Sequence, residues 1–324
     1  MEQITLEPVD SVRITSLVDN VADTTAPSTG PARRTGWGTG TLEAHTMVGG
    51  RSSVPLVAEH GFSALVEVSK GETTYRVLFD TGVSPCGMIE NMRRLEVDPT
   101  TIEAIILSHG HYDHTTGMHG LIEALGRPNL PVYLHPEFWN RRRVVVEGSD
   151  PRELPTTSRG ALEDAGFEII EQARPSFLLQ RSVLVTGEID RTSAFEGGFP
   201  GHEAFRDSAW QPDSLILDDQ ALVLNLRGEG LIVITGCGHA GVVNILRHVT
   251  RLTGTGQVHA LIGGFHLGSR AMLNRIAPTV EAIAAFNPDY LVPAHCTGFR
   301  ATHALAERLP EALIPNTVGT VYTF

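Results

Sequence analysis

The sequence predicts an α/β (α+β) fold, a four-layer αβ/βα sandwich, on three observations. Short apolar runs stop abruptly at polar residues, as strands buried on both faces do. Stretches with roughly 3.6-residue apolar spacing fall between them. The strands come first along the chain, and strands and helices alternate later, which suggests sheets packed on each other with helices outside. The chain has 324 residues, and residues 1–324 read as a single unit of this kind with a lid-like insertion at about 136–215.

The strands follow in order. VRITSLVD (12–19) is rich in branched residues, FSALVEVSK (62–70) alternates, and TYRVLFDTG (74–82) ends in a turn signal. AIILSHGH (104–111) is an apolar run that breaks off at polar residues. QALVLNL, GLIVITGCGH, VHALIGGFHL and DYLVPAHCTG complete the set between residues 220 and 298. The helices are expected in SPCGMIENMRRL (84–95), TTGMHGLIEALG (115–126), GVVNILRHVTRLTG (241–254) and AMLNRIAPTVEAIAAF (271–286). Ser84 and the Thr115/Thr116 pair are candidate N-caps, and Gly126 stands where the second helix should stop. Residues 22–53, rich in Thr, Ser, Gly and Pro, read as a long loop.

Composition narrows the function classes. Hydrophobic residues make up 41% and charged residues 19%, the balance of a folded globular chain. The formal net charge of −12 repels polyanions and argues against nucleic acid as a partner. No apolar run reaches the roughly 18 residues of a membrane span, and MEQITLEPVD lacks the apolar core of a signal peptide. Cys86, Cys237 and Cys296 are too few and too odd for a disulfide framework, which points to a reducing, cytoplasmic setting. The expected partner is a small-molecule substrate, an anionic one included if metal and a few Arg residues act locally.

LSHGHYDH (107–114) carries the chemistry. A strand delivers four potential ligands at its C-terminal end, and neutral imidazoles with a carboxylate suit zinc, with manganese or iron(II) as further fits. His109 and His111 share one side by two-residue alternation and reach one metal. Asp113 and His114 follow in the turn and address a second ion about 3.5–4 Å away. The alternative, a surface loop that happens to be rich in His, ill suits four potential ligands directly after a buried strand.

The His-x-His-x-Asp-His string resembles the signature of the metallo-β-lactamase superfamily, whose fold is the four-layer αβ/βα sandwich. LFDTG (78–82) resembles the superfamily's early strand-turn, where Asp80 would support the metal loop rather than bind metal. LVDN (17–20), AEHGFSALVE (58–67), TGEIDR with AFE (186–196), DDQALV (218–223), TGCGHAGVVNI (235–245), GGFHL (263–267), PAHCTG (293–298) and NTVGT (316–320) narrow the likeness. They resemble the subgroup named after 7,8-dihydropterin-6-methyl-4-(β-D-ribofuranosyl)aminobenzene-5′-phosphate synthase. The resemblance implies that His239 and His295, each at a later strand end, complete the ligand set. His109, His111 and His239 would form one site; Asp113, His114 and His295 would form the other, for one or two zinc ions in all. The chain departs from the superfamily's better-known hydrolases at Thr235-Gly236-Cys237, where those carry a metal-bridging Asp. Cys237 is either a thiolate ligand or a small buried residue.

Other candidates surround this set. His266, at a strand end eased by Gly263 and Gly264, is read as contacting substrate or transferring a proton, against a structural histidine as the alternative. Glu59 and His60, and Asp19 and Asn20, are read as contacting substrate or supporting a ligand imidazole, against turn capping. Arg191 is a candidate anion clamp, against a surface salt bridge with Glu188 or Asp190. Asp218 and Asp219 either orient histidines or simply make a turn. Arg141, Arg142 and Arg143 read as a solvated basic face, Cys296 as packing, and His45, His119, His135, His202, His248, His259 and His303 as structural or exposed.

Two function classes follow. In the first, a metal-acidified water attacks a small ester, lactone, amide or phosphoester, with Asp113 orienting the water and taking its proton. The second, implied by the subgroup, is a transferase that displaces diphosphate from a dihydropterin methyl diphosphate onto a ribofuranosyl-aminobenzene phosphate.

Overall fold

The computed structural model describes residues 3–35, 40–126 and 128–324. Two large sheets face each other. The first has eight strands, in the order Glu168–Glu171, Pro131–Leu134, Ala104–Ile106, Thr73–Phe79, Ser63–Lys70, Ser11–Val18, Thr320–Thr323 and Ala32–Arg34. Its first four are parallel and the remainder antiparallel. The second has six: Ser176–Leu178, Val183–Val185, Ala221–Leu226, Gly230–Thr235, Val258–Gly264 and Tyr290–Ala294, the last three parallel.

Side-chain alternation explains the layering. In Ser11–Val18, Val12 and Ile14 point inward and meet Leu222, Leu224, Ile232 and Ile234 of the opposite sheet, all buried. The outer face of the first sheet packs Leu65, Leu78 and Ile105 against Met88, Met92 and Leu121 of the helices Gly87–Arg94 and Met118–Leu125. The outer face of the second packs Val223, Val233 and Leu261 against the helices Val242–Thr253, Ile276–Phe286 and Phe299–Arg308. The αβ/βα order of layers is therefore present. No helix among the described residues is long and apolar enough to cross a membrane.

Two expectations need correcting. Residues 136–215 do not form one inserted unit. The helix Arg159–Ala165 and the strands Glu168–Glu171, Ser176–Leu178 and Val183–Val185 belong to the sandwich itself. What stands apart is a four-stranded antiparallel sheet of Arg142–Val144, Arg152–Glu153, His202–Arg206 and Ala209–Pro212. The interrupting Pro and Gly residues bound short strands rather than exclude them. Nor is 22–53 wholly irregular. Ala32–Arg34 pairs with the terminal strand Thr320–Thr323, and Thr41–Glu43 pairs with Arg51–Ser53; residues 36–39 lie outside the described residues. Strands of three residues are too short to show a period.

Strand direction places the chemistry. Ser11–Val18, Thr73–Phe79 and Ala104–Ile106 end toward the same edge as Gly230–Thr235, Val258–Gly264 and Tyr290–Ala294. The residues that follow them (Asp19, Asp80, His109, Cys237, His266 and His295) gather there. Close approach demands glycine at Gly236, where a Cβ would lie 2.1 Å from Ser108 Oγ and 2.8 Å from Asp80 Oδ2.

Candidate metal centre

His109, His111 and His239 bring three buried imidazoles together. His111 Nδ1 lies 3.0 Å from His109 Nε2 and 3.1 Å from His239 Nε2. Burial first, then neighbouring positive charge from His114, Arg142 and His266, holds all three well below the usual histidine range, so each is neutral. His111 Nδ1 can carry at most one proton, so it cannot satisfy both nitrogens that face it. The outer nitrogens, His111 Nε2 and His239 Nδ1, have no hydrogen-bond partner. Three inward-facing lone pairs in a dry setting fit a divalent ion better than they fit one another.

A second donor group adjoins it. Asp113, His114, Cys237 and His295 offer ligand atoms all within 4.8 Å of one another. His114 Nε2 is 3.2 Å from Cys237 Sγ, and His295 Nε2 is 3.3 Å from Asp113 Oδ2. Burial would raise the Asp113 carboxyl, but the imidazoles of His114 and His295 outweigh it and keep the group ionised. Burial likewise depresses His114, yet the carboxylates of Asp80 and Asp113 lift it to about 9. An ion taking the place of the His114 proton would release it on binding. Cys237 also falls within 4.8 Å of ligand atoms of His239 and His266. Its thiol therefore stands between the two groups, where the sequence left a ligand and a buried spectator both open.

The support for these imidazoles is explicit. Asp80, at φ 57°, accepts from Ser108 N and Ser108 Oγ at 2.7 Å each and from His114 Nδ1 at 2.6 Å. Ser108 Oγ also meets His109 Nδ1 at 2.9 Å, so one carboxylate sets two rings with their Nε2 atoms inward. Asp19 accepts from His295 N at 2.7 Å, Asn20 Oδ1 lies 3.3 Å from His295 Nδ1, and Asn20 Nδ2 donates to the His295 carbonyl at 3.1 Å. Asn316 donates to Asp19 Oδ2 at 2.8 Å and fixes that carboxylate in turn. Asp80, His266 and His295 are non-glycine residues with φ of 57°, 47° and 47°, a left-handed conformation that costs about 1–2 kcal/mol each and persists where surroundings enforce it.

The remaining candidates divide. Asp19 and Asn20 hydrogen-bond to His295. His60 packs its ring 4.8 Å from that of His295 and meets Asn20 Nδ2 at 3.1 Å, with its own ring exposed at the edge. Glu59 accepts from Val83 N and Ser84 N at 3.2 and 3.1 Å and so caps a turn, the alternative reading. Arg191 does not extend an open fork toward the centre: it donates to the carbonyls of His239 and Leu215, which explains why neither Glu188 nor Asp190 pairs with it. Asp218 and Asp219 accept from Gly110 N at 2.7 Å and Ala240 N at 2.8 Å, supporting the loops of His109 and His239 rather than their rings. His266 sets its ring 4.2 Å from that of His239; neither ring nitrogen has a well-aligned hydrogen-bond partner, and the Cys296 thiol is the polar group that interacts with the ring.

Three features escaped the sequence. Arg142 is 2% exposed, not solvated; it pairs with Asp213 at 2.8 Å and Asp218 at 2.6 Å and ties the four-stranded sheet to the His109 loop. His202, read as structural or exposed, stacks 5.2 Å from His111, and burial holds it down at about 4. Phe199 packs 4.7 Å from both His202 and His266. His202 follows a Gly- and Pro-rich run with no strand period, so its place beside the centre depends on a pairing with Arg142–Val144 that sequence spacing does not reveal.

Cys237→Asp tests the thiol directly. Asp there restores a carboxylate between the two groups, and bound zinc should rise toward two ions per chain. Unchanged stoichiometry by elemental analysis, in a variant with parental circular dichroism, would place Cys237 outside the ligand set.

The metallo-β-lactamase superfamily model matches residues 57–259. A 7,8-dihydropterin-6-methyl-4-(β-D-ribofuranosyl)-aminobenzene-5′-phosphate synthase of Methanocaldococcus jannaschii is 29% identical over 83% of this chain and 92% of its own. An uncharacterised protein of the same organism is 30% identical over 77% of this chain and 88% of its own. Among solved structures, a metal-dependent hydrolase of the β-lactamase superfamily superposes with a TM-score of 0.70 at 24% identity, covering 97% of this chain and 98% of that one. The chain belongs to the metallo-β-lactamase superfamily.

Proposed function

We propose that the chain is a metal-dependent hydrolase of a small ester, lactone, amide or phosphoester. The observation that carries this reading is the pair of adjoining donor groups at one sheet edge, three neutral imidazoles in one and a carboxylate, two imidazoles and a thiol in the other. His109, His111 and His239 would hold one ion, and Asp113, His114 and His295, with Cys237, a second. Bound there, zinc supplies Lewis acidity and acidifies a water at neutral pH. The chain's own groups do the rest. Asp113, kept ionised by its neighbours, orients the attacking water. His266, beside His239 and with no well-aligned partner at either nitrogen, contacts the substrate and protonates the leaving group.

A second reading, transfer with loss of diphosphate, is favoured by the likeness to the synthase over 83% of the chain. Against it, Arg142 is held by Asp213 and Asp218, and both terminal nitrogens of Arg191 are engaged by backbone carbonyls, leaving its Nε alone without a partner, so neither presents an open fork to a diphosphate. The deciding experiment gives the zinc-loaded chain a panel of esters, lactones, amides and phosphodiesters, and separately the dihydropterin methyl diphosphate with its ribofuranosyl-aminobenzene acceptor. Turnover of any panel member in water supports the hydrolase; diphosphate release dependent on the acceptor, with the panel inert, replaces it by the transferase.

A further inference from the structure

A cavity of about 440 Å³ opens beside His295 of the second donor group and is lined also by Asp19 and Asn20, which hold His295. Val21 and Pro27 of the loop after the first strand form one wall, Leu313 and Ile314 a second, and Phe299 and Thr302 of the last helix a third. Its size falls within the roughly 300–1,000 Å³ of pockets that enclose small organic ligands. Two of its lining side chains are large and apolar yet open to solvent, Phe299 at 86% and Val21 at 47% exposure.

The polar groups on this lining are already paired. Arg34 donates to the carbonyls of Pro27 and Pro315 and to Thr317 Oγ1. Asn316 is held between Asp19 and Tyr322, and the Thr302 hydroxyl donates to the Gly298 carbonyl. The His295 imidazole is fully buried, and its Nε2 faces Asp113 at 3.3 Å rather than the cavity. A charged or many-donor ligand would therefore find its partners engaged, whereas a hydrocarbon group would cover Phe299 and Val21 and displace water from an apolar surface.

We propose that this cavity receives the apolar limb of the chain's own substrate, an alkyl or aryl group whose reacting bond lies at the candidate metal centre. The proposal rests on the hydrolase reading, because His295, with Asn20 that holds it, joins the cavity to that chemistry.

Direct binding tests it without turnover. Primary alcohols from butanol to octanol are titrated calorimetrically into the full-length, zinc-loaded chain. Affinity should rise about fourfold per methylene, the transfer free energy of roughly 0.8 kcal/mol per buried CH₂ expressed as a ratio. Ala26→Trp and Thr302→Phe, each at a lining residue, fill the cavity and should each remove octanol binding while circular dichroism and thermal melting stay parental; if one fails to fold, the other decides. Affinity that does not change with chain length, or undiminished octanol binding in a folded variant, overturns the proposal. The two readings fail separately. Hydrolysis of the panel with no gain in kcat/KM along an alkyl series sinks the cavity assignment, and length-dependent octanol binding by a chain that hydrolyses nothing sinks the hydrolase.

Discussion

Replacing His111 by Ala is expected to lower turnover by about 10³-fold or more, because losing a ligand removes stabilisation worth several kcal/mol. His111 Nδ1 is the nitrogen that both His109 Nε2 and His239 Nε2 face, at 3.0 and 3.1 Å, so its removal leaves a two-nitrogen site on that side. The fold should survive. The side chain is buried at the sheet edge, not between the sheets, where Val12, Ile14, Ile232 and Ile234 meet. Deleting one of three crowded neutral imidazoles also relieves lone pairs that the metal-free chain cannot satisfy. Circular dichroism and thermal melting without added zinc should therefore match the parent, while the melting temperature gained on adding zinc shrinks. A variant with parental turnover and full zinc loading would remove His111 from the ligand set.

What the sequence made legible, and what it hid, follows from how far apart the interacting residues lie. LSHGHYDH is local: its spacing and the strand before it suffice to predict that His109 and His111 share a side, and their rings do lie 4.6 Å apart. The sandwich was legible for the same reason, since buried runs such as GLIVIT and VHALIGG register as strands on their own. Asp19 and Asn20 could be placed near the centre only through resemblance, because they reach His295 across 276 and 275 residues of chain. Arg142 misled because a run of three arginines reads as surface; the partners that bury it, Asp213 and Asp218, are 71 and 76 residues away. His202 was lost likewise, in a sheet whose strands span two to five residues. Arg191 shows the opposite error: residue type suggested a clamp, and the fold turned its guanidinium onto carbonyls instead.

His266→Ala should retain zinc and lose roughly 10²–10⁴-fold in turnover, the usual cost of removing a general acid. The imidazole stands at the end of Val258–Gly264, between the strands that deliver His239 and His295. Its ring lies 4.2 Å from that of His239 and edge-on to Phe199 at 4.7 Å, and beyond its interaction with the Cys296 thiol neither nitrogen has a well-aligned protein partner. A buried structural histidine normally satisfies at least one nitrogen, so the open pair points to a partner that arrives with the substrate. The backbone at φ 47° is strained for His and Ala alike, since both carry a Cβ; the substitution leaves that strain in place and isolates the ring. Three measurements separate the possibilities. Retained zinc, reduced kcat and a pH–rate profile that has lost its alkaline limb mark a proton donor, because an acid catalyst works only below its own pKa. Loss of zinc instead would make His266 a ligand alongside Cys237 and His239, the group with which it shares a 4.8 Å cluster. Unchanged zinc content and unchanged turnover would leave His266 a structural residue, and the leaving group would then depart without this imidazole's help.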